Sequence, residues 1–235
     1  MLLLFASSIG TTVKTSAPGM TDPLEILSRM ERDYAKINDY TANFRKKERV
    51  KGKVLPEENI YLKFRKPFKV YMKWLEGPHE GREAMYVRGR YGDKVVGHEG
   101  GIISFITLHM DPRGRTAMKG NRHPITDVGI GRVVEIVMGD VRKGGAAGEL
   151  KLELKGEEEI YGRKAYRILK ETPPGEGYYA PRIELWVDAE LGLPVRVEIY
   201  GKDGGFLESY GYADLRPNRG LPDEEFDEDY KDYGF

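Results

Sequence analysis

The sequence predicts an α+β fold that is mainly β, in which a curved antiparallel sheet forms a half-open barrel covered by two or three helices. Apolar and charged residues alternate along several segments, the pattern of strands with one buried and one solvated face. Glycine-rich stretches separate these segments, as turns between neighbouring strands require. Only two segments carry apolar residues at helical spacing, so helices are expected to be the minority.

The composition excludes several classes of protein. Lys plus Arg and Asp plus Glu both total 38 in 235 residues, so the formal net charge is zero. A chain without a basic field has no general attraction for nucleic acid, and we predict no nucleic-acid partner. Cysteine is absent, which excludes disulfides, cysteine-zinc sites, thiol catalysis and a lipid anchor on cysteine.

Residues 1–20 are expected to be a truncated signal peptide or a disordered tail. An apolar run from Leu2 to Ala6 precedes small and hydroxylated residues, which is the order of a signal peptide without its basic start. No later stretch approaches the ~20 apolar residues that cross a bilayer, so no transmembrane span is predicted. Residues 21–235 are expected to form one domain, because sheet-rich domains often reach this length.

A first helix is predicted from the capping sequence Thr21–Asp22–Pro23 to about Asn38. Aspartate accepts hydrogen bonds from the first free N–H groups of a helix, and proline fits its first position. Charges of both signs separate the apolar residues, which favours packing on a core over lying on a membrane. The apolar residues at helical spacing are Leu24, Leu27, Met30, Tyr34 and Ile37.

Strands are predicted from Tyr40 to about Leu108. The clearest alternation places Lys, Arg and Tyr on one face and apolar side chains on the other. These apolar side chains are Ile60, Leu62, Phe64, Val70, Met72 and Trp74. Shorter strands are expected at Glu83–Val87, Lys94–Gly97 and Ile102–Leu108.

An irregular loop and a second helix interrupt the predicted sheet. The loop extends to Pro124, and Thr126 or Asp127 then caps a helix rich in valine and isoleucine that reaches Val141. The glycines from Gly144 to Gly148 are expected to form a flexible turn back to the sheet.

The C-terminal part is predicted to return to strands and to end in a pinned extended segment or short helix. This tail, from Pro222 to Phe235, is acidic and rich in tyrosine. The expected strands are Leu150–Leu154, Lys164–Leu169, Ile183–Val187, Val195–Tyr200 and Phe206–Tyr212.

The ratio of strands to helices predicts a cavity. About ten strands at roughly 4.8 Å spacing give a sheet some 45–50 Å wide, whereas two helices of about 10 Å diameter cover about 20 Å. A curled sheet then leaves either an apolar pocket under the helices or a core filled by side chains. The expected ligand-binding residues are Ile60, Leu62, Phe64, Val70, Met72, Trp74, Leu152, Ile183, Leu185, Val197 and Ile199.

The irregular loop contains four candidates for a polar site at the cavity mouth: Asp111, Arg113, Asn121 and His123. They either bind a polar headgroup or belong to a turn held by a local salt bridge. The four histidines of the chain lack the spacing of a zinc motif, so no metal site is predicted. No serine lies in a nucleophile-elbow motif, and neither catalytic residues nor a cofactor are expected.

Several stretches resemble a known family. The segments Phe64–Trp74 and Glu184–Leu221 look like the early strands and closing hairpins of the LolA/LolB-like superfamily of lipoprotein-sorting proteins and MucB/RseB N-terminal domains. Four shorter motifs are similar to the DUF1571 family within it. These are Glu80–Glu83, His98–Gly101, His109–Gly114 and Phe226–Asp227.

The resemblance implies a LolA-like, periplasmic half-barrel with a hydrophobic cavity for the acyl chain of a lipid or lipoprotein. The expected function is therefore non-catalytic lipid or lipoprotein binding. The alternative is a sensory or structural module of the cell envelope that docks a protein partner. The chain differs from the sorting carriers in its greater length and in the insertion from Leu108 to Pro124.

Overall fold

The computed structural model describes residues 21–175 and 177–235. The predicted signal peptide or tail at residues 1–20 lies outside them. Twelve strands form a single antiparallel sheet. They are β1 (Asp39–Val50), β2 (Lys53–Val54), β3 (Glu58–Arg65), β4 (Lys69–Trp74), β5 (Glu83–Val87), β6 (Val95–His98), β7 (Leu108–Met110), β8 (Lys151–Ile160), β9 (Arg163–Glu171), β10 (Arg182–Asp188), β11 (Pro194–Tyr200) and β12 (Phe206–Pro217).

The sheet is curved but not closed. Its strand order is β7-β6-β5-β4-β3-β1-β12-β11-β10-β9-β8, with β2 paired to β1. Strand β1 lies at the centre and joins the two halves, since Phe44 is opposite Ile60 of β3 and Tyr212 of β12. Strands β7 and β8 are the two edges. With two helices on its inner face, this architecture confirms the predicted fold class.

The first helix, α1 (Pro23–Ala35), begins as predicted. The Asp22 carboxylate accepts a hydrogen bond of 2.9 Å from the backbone N–H of Leu24. The face formed by Ile26, Leu27 and Met30 is buried in the core. The helix ends earlier than the predicted Asn38, because the chain must turn before β1 begins.

The second helix, α2 (Ile130–Ala147), lies across the inner face of the sheet and contacts α1 and β11. Its first N–H, from Ile130, donates to the Tyr40 hydroxyl over 2.9 Å. Gly129 precedes it with φ +118°, and a Cβ there would lie 2.9 Å from that hydroxyl oxygen. The close approach of helix and sheet therefore depends on glycine at this position.

The second helix also begins later than predicted. Thr126 and Asp127 lie in a separate 3₁₀ turn, Ile125–Asp127, and the N-cap of α2 is Gly129.

Two other predicted segments were wrong. The Ile102–Leu108 segment forms a short 3₁₀ turn at Gly101–Ile103, and its strand starts only at Leu108. Gly101 has φ +74°, a conformation that cannot continue a strand. The expected turn at Gly144–Gly148 is instead the last turn of α2, because Gly148 alone is left-handed, at φ 69°, and ends the helix.

The C-terminal segment, residues 218–235, is pinned to the outer face of the sheet. The Asp39 carboxylate accepts hydrogen bonds from the backbone N–H groups of Arg219 and Gly220, at 2.6 and 3.1 Å. Phe226, at the end of a 3₁₀ turn, is fully buried. The second hydrophobic cluster that it completes contains Tyr71, Met85, Val87 and Leu221.

Candidate ligand cavity

A cavity of about 440 Å³ lies between the inner face of the sheet and α2. Strand β1 contributes Phe44, β4 contributes Met72 and Trp74, and β11 contributes Val197 and Ile199. These side chains share one face because alternate residues of a strand point to the same side. Helix α2 closes the opposite wall with Arg132, Val133, Ile136 and Val137.

The connection between β7 and α2, residues 111–129, forms a third wall of the cavity. Its lining residues are Thr116, Ala117, Lys119, Gly120, Asn121, His123, Ile125, Asp127, Val128 and Gly129. It contains most of the segment Leu108–Pro124, which the sequence predicted to be an insertion relative to the sorting carriers. It covers part of the inner face that the two helices leave open.

At one end of the cavity the inner face of the sheet becomes charged. Lys46 and Glu48 follow Phe44 at alternate positions of β1, and Tyr210 and Glu208 of β12 lie directly opposite them. Lys46, Glu48 and Tyr210 line the cavity, whereas Glu208 lies behind the wall with no exposed surface. The Lys46 ammonium lies 2.5 Å from the Asn121 side-chain oxygen and 2.7 Å from a Glu58 oxygen, so it is held by two partners.

The two buried glutamates bind the connection to the sheet. Glu208 accepts hydrogen bonds from the Tyr179 hydroxyl at 2.6 Å and from His123 Nε2 at 2.7 Å, and the Arg122 guanidinium lies 2.7 Å away. Glu48 accepts from the Arg122 backbone N–H at 2.8 Å and from the Tyr210 hydroxyl at 2.6 Å. The polar end is thus a network in which carboxylates are paired with donors.

Burial and neighbouring charges shift the pKa values of Glu208 and Tyr210 at this end of the cavity. Desolvation acts to raise the pKa of the Glu208 carboxyl, but the hydrogen bond and charge of His123, with Tyr179 and Arg122, hold that pKa below its ordinary value. Desolvation and the neighbouring Glu208 and Glu48 charges raise the pKa of the Tyr210 hydroxyl. Glu208 therefore remains a carboxylate and Tyr210 a neutral donor at neutral pH.

The cavity reaches the surface beside β6 and β7. Its exposed lining residues there are Glu99, Leu108, Thr116, Lys119 and Gly120. At the same side, Arg82 donates to Glu99 over 2.8 Å, and its guanidinium lies 5.2 Å from the centre of the Trp74 ring. The opening is therefore partly charged, while Leu108 supplies an exposed apolar wall.

The structure separates the eleven inner-face residues named from sequence into two groups. Four line the cavity: Met72, Trp74, Val197 and Ile199. The other seven are not among its lining residues. Ile60, Leu62, Phe64, Val70, Ile183 and Leu185 are buried in the main core, and Leu152 packs half-buried against that core.

The four loop residues predicted to form a polar site at the cavity mouth also fall into two groups. Asn121 and His123 line the polar end of the cavity, whereas Asp111 and Arg113 do not line it. Asp111 instead accepts a hydrogen bond of 2.8 Å from the Arg113 backbone N–H, which closes a local turn. The Arg113 guanidinium lies 3.7 Å from Asp127 and not beside Asp111.

Sequence reasoning missed the polar residues around this end of the cavity, among them Lys46, Glu48, Tyr179 and Glu208. One signal was available, because Phe44, Lys46 and Glu48 continue the alternation of β1 into polar residues. Tyr179 carried no such signal, since it reaches the cavity from the loop between β9 and β10.

The histidines are the residue type that most readily suggests a metal site. No cluster of three or more His, Cys, Asp or Glu residues arranged for a metal ion is found among residues 21–175 and 177–235. Two of the histidines have ordinary hydrogen-bond partners: His123 contacts Glu208, and His98 Nδ1 lies 2.9 Å from the Glu99 carbonyl oxygen. In the same part of the chain, no helix is both long and apolar enough to span a bilayer.

Comparison with known proteins identifies the family. The profile of the family described as "Protein of unknown function (DUF1571)" matches residues 37–235. The chain therefore belongs to the DUF1571 family, as the resemblance in its motifs predicted. No curated protein matches the sequence.

Solved structures share the fold at low sequence identity. A crystal structure of MucB has a TM-score of 0.50 and 15% identity over 90% of this chain and 64% of the MucB chain. The lipoprotein LppX of Mycobacterium tuberculosis has a TM-score of 0.50 and 13% identity over 86% of this chain and 99% of LppX. A LolA superfamily protein from Nitrosomonas europaea has a TM-score of 0.36 and 12% identity, over 90% of this chain and 100% of that protein.

The likenesses to MucB and LppX, with the twelve-stranded open sheet, confirm the predicted fold. The chain spans less than two thirds of the MucB chain. MucB therefore contains a part that has no counterpart in this alignment.

Proposed function

We propose that this protein is a non-catalytic binding protein of the cell envelope whose cavity takes the acyl chain of a lipid or lipoprotein. The observation that carries the proposal is the cavity of about 440 Å³ with apolar side chains on three walls. Pockets of roughly 300–1,000 Å³ with such linings are typical ligand sites. Each buried methylene would contribute about 0.8 kcal/mol before ordering costs, which suits a reversible carrier.

The polar end supports an amphipathic ligand. An ammonium group has three donors, and Lys46 has two acceptors within hydrogen-bond distance, so a ligand oxygen is a suitable third partner. Asn121 and His123 line the same end and supply further polar contacts for a headgroup. We place the acyl chain between β4, β11 and α2.

A periplasmic location and a lipid partner are part of the same proposal. The fold shared with LppX, a lipoprotein by its description, supports an envelope setting. The inner-face carboxylates are engaged in ion pairs and hydrogen bonds, which supports a binding role over catalysis.

The test combines ligand identification with a blocked cavity. Native mass spectrometry of the gently purified chain should show a bound lipid, and a fluorescent fatty acid should bind with measurable affinity. Ile136→Phe places a larger side chain in the cavity wall and should weaken this binding by about tenfold or more. Met72→Asp, which places a charge in the apolar part, should abolish it.

The matched control is Ala146→Phe, at an exposed position of the same helix, which should bind the probe like the wild type. Far-UV circular dichroism should be sheet-like for every variant compared. An empty chain that does not take up the probe, or equal binding by wild type and Ile136→Phe, would overturn the proposal. Co-purification of a protein with an empty chain would favour the docking module instead.

A further inference from the structure

The segment from Gly100 to Leu108, the first residue of β7, presents apolar side chains to solvent. Of the large hydrophobic side chains that are exposed in the described ranges, half lie in this segment: Ile102, Phe105, Ile106 and Leu108. Ile102 and Phe105 are 94% and 78% exposed. The segment contains no charged residue, in a chain of which 32% is charged.

This exposure has a cause in the local backbone. Gly101 adopts φ +74° and starts a 3₁₀ turn that ends at Ile103, after which the chain has no regular structure until Leu108. The side chains of Ile102 and Phe105 therefore project from a turn and do not join the pleated face of the sheet. Exposed apolar clusters of this kind mark contact with a membrane or a protein.

The segment is continuous with the cavity. Leu108 is 46% exposed and also lines the cavity, and Met110 of the same strand lines it farther in. Both residues belong to β7, the edge strand that pairs only with β6. An apolar path therefore leads from the exposed turn, past Leu108, to Met110 and the cavity wall.

We propose that the side chains of Ile102, Phe105, Ile106 and Leu108 insert into the surface of a lipid bilayer and place the cavity opening against it. Isolated side chains that project from a turn suit the disordered boundary between headgroups and acyl chains, which needs no shape-matched partner. Phenylalanine, isoleucine and leucine are the side chains that gain free energy there. The role goes beyond ligand binding, since it concerns how the protein meets a membrane.

Vesicle flotation tests the inference directly. The full chain is mixed with phosphatidylcholine vesicles, with and without phosphatidylglycerol, and is expected to float with them. The double variant Ile102→Ser/Phe105→Ser should reduce the bound fraction at least tenfold, because each large apolar side chain changes partitioning by about tenfold. The matched double variant Leu24→Ser/Val54→Ser, also at exposed positions, should float like the wild type.

A second readout locates the contact. Phe105→Trp should show a blue-shifted emission on adding vesicles, with quenching by brominated acyl chains, beyond the change that the wild type shows through Trp74 and Trp186. Absence of wild-type flotation, or equal flotation of the two serine double variants, would overturn the inference. So would a dimer in solution that only Ile102→Ser/Phe105→Ser abolishes, since a second copy would then cover the segment.

The outcome is separable from the cavity assignment. Ile136→Phe should still float with vesicles while losing the fatty-acid probe, and Ile102→Ser/Phe105→Ser should still bind the probe in detergent-free solution. If either variant kept its fold but lost both flotation and probe binding, the exposed apolar side chains would not form a membrane contact separate from the cavity.

Discussion

At the scale of single residues, the structure depends on buried charges that are paired. Glu208 has no exposed side-chain surface and is surrounded by His123, Tyr179 and Arg122. Lys170 is buried and contacts Asp140 at 2.5 Å and the Ala180 carbonyl oxygen at 2.7 Å. Such groups stabilise a fold only while their partners are present, because an unpaired buried charge is costly.

Glu208 predicts a dependence of stability on pH. Its folded pKa lies below the ordinary value of 4.5, so its contribution is present above pH 4.5 and is lost as the pH falls through the folded pKa. Glu208→Gln should lower the free energy of unfolding by about 3 kcal/mol at pH 7. The difference from wild type should shrink as the pH falls below 4.5 and through the folded pKa, where Glu208 becomes protonated and uncharged like glutamine.

Urea unfolding at pH 7 and at successively lower pH values measures this difference. Glu159→Gln, at an exposed position, is the control and should change the free energy of unfolding by less than about 0.5 kcal/mol at each pH. A Glu208→Gln deficit that is the same at every pH would show that the charge of Glu208 is not what stabilises the network.

The Lys170–Asp140 pair joins β9 to α2 and predicts a coupled effect. Lys170→Met should lower the free energy of unfolding by about 3–5 kcal/mol, because Asp140 is left buried without its counter-charge. Asp140→Asn in the same chain should recover part of this loss, which a double-mutant cycle of thermal or urea unfolding measures. Strict additivity of the two substitutions would argue against a direct pair.

At the scale of elements, the C-terminal segment acts as cover for the outer face of β3, β4 and β5. Tyr233 stacks on Tyr71 with ring centres 3.8 Å apart, and Lys63 lies 5.2 Å from the Tyr233 ring. The Gly234 N–H donates to the buried Glu83 carboxylate over 3.1 Å. The acidic, tyrosine-rich tail that the sequence predicted to be a pinned segment is therefore an integral part of the fold.

Phe226→Ala measures how much the packing of the C-terminal segment contributes to the free energy of unfolding. Phe226 is fully buried, and its truncation leaves a cavity, so the free energy of unfolding should fall by about 3–5 kcal/mol. Phe105→Ala removes the same side chain from an exposed position and should change it by less than about 0.5 kcal/mol. Equal effects of the two substitutions in denaturant unfolding would mean that the segment is not firmly packed.

The connection between β7 and α2 shows how an element without regular structure gains a defined position. Its Arg122 and His123 reach Glu208, Arg122 also donates its backbone N–H to Glu48, and Asn121 reaches Lys46. The charged end of the inner face therefore has a structural role beside the proposed contact with a headgroup. It fixes the third wall of the cavity.

At the scale of the whole molecule, the cavity follows from the mismatch between a wide sheet and two helices. Eleven of the twelve strands form a continuous order from edge to edge, and the ends do not pair. Side chains of β4, β11 and α2 face the cavity that lies between them. The connection between β7 and α2 lines another part of the cavity, and the exposed lining residues Glu99 and Leu108 mark its opening.

The sequence by itself determined the fold class, most strands and both helices, because alternation and helical spacing are local properties of the chain. It also identified Met72, Trp74, Val197 and Ile199 as inner-face residues. It did not distinguish them from Ile60 or Leu185, since cavity wall and packed core have the same apolar pattern.

Only the tertiary structure decided which part of the inner face of the sheet lines the cavity and which part is packed in the core. It also brought Glu48, Glu208 and His123 together, although they lie far apart in the chain. The physical reason is that a side chain's strand position fixes its face, whereas its neighbour across the cavity depends on how far the sheet curves.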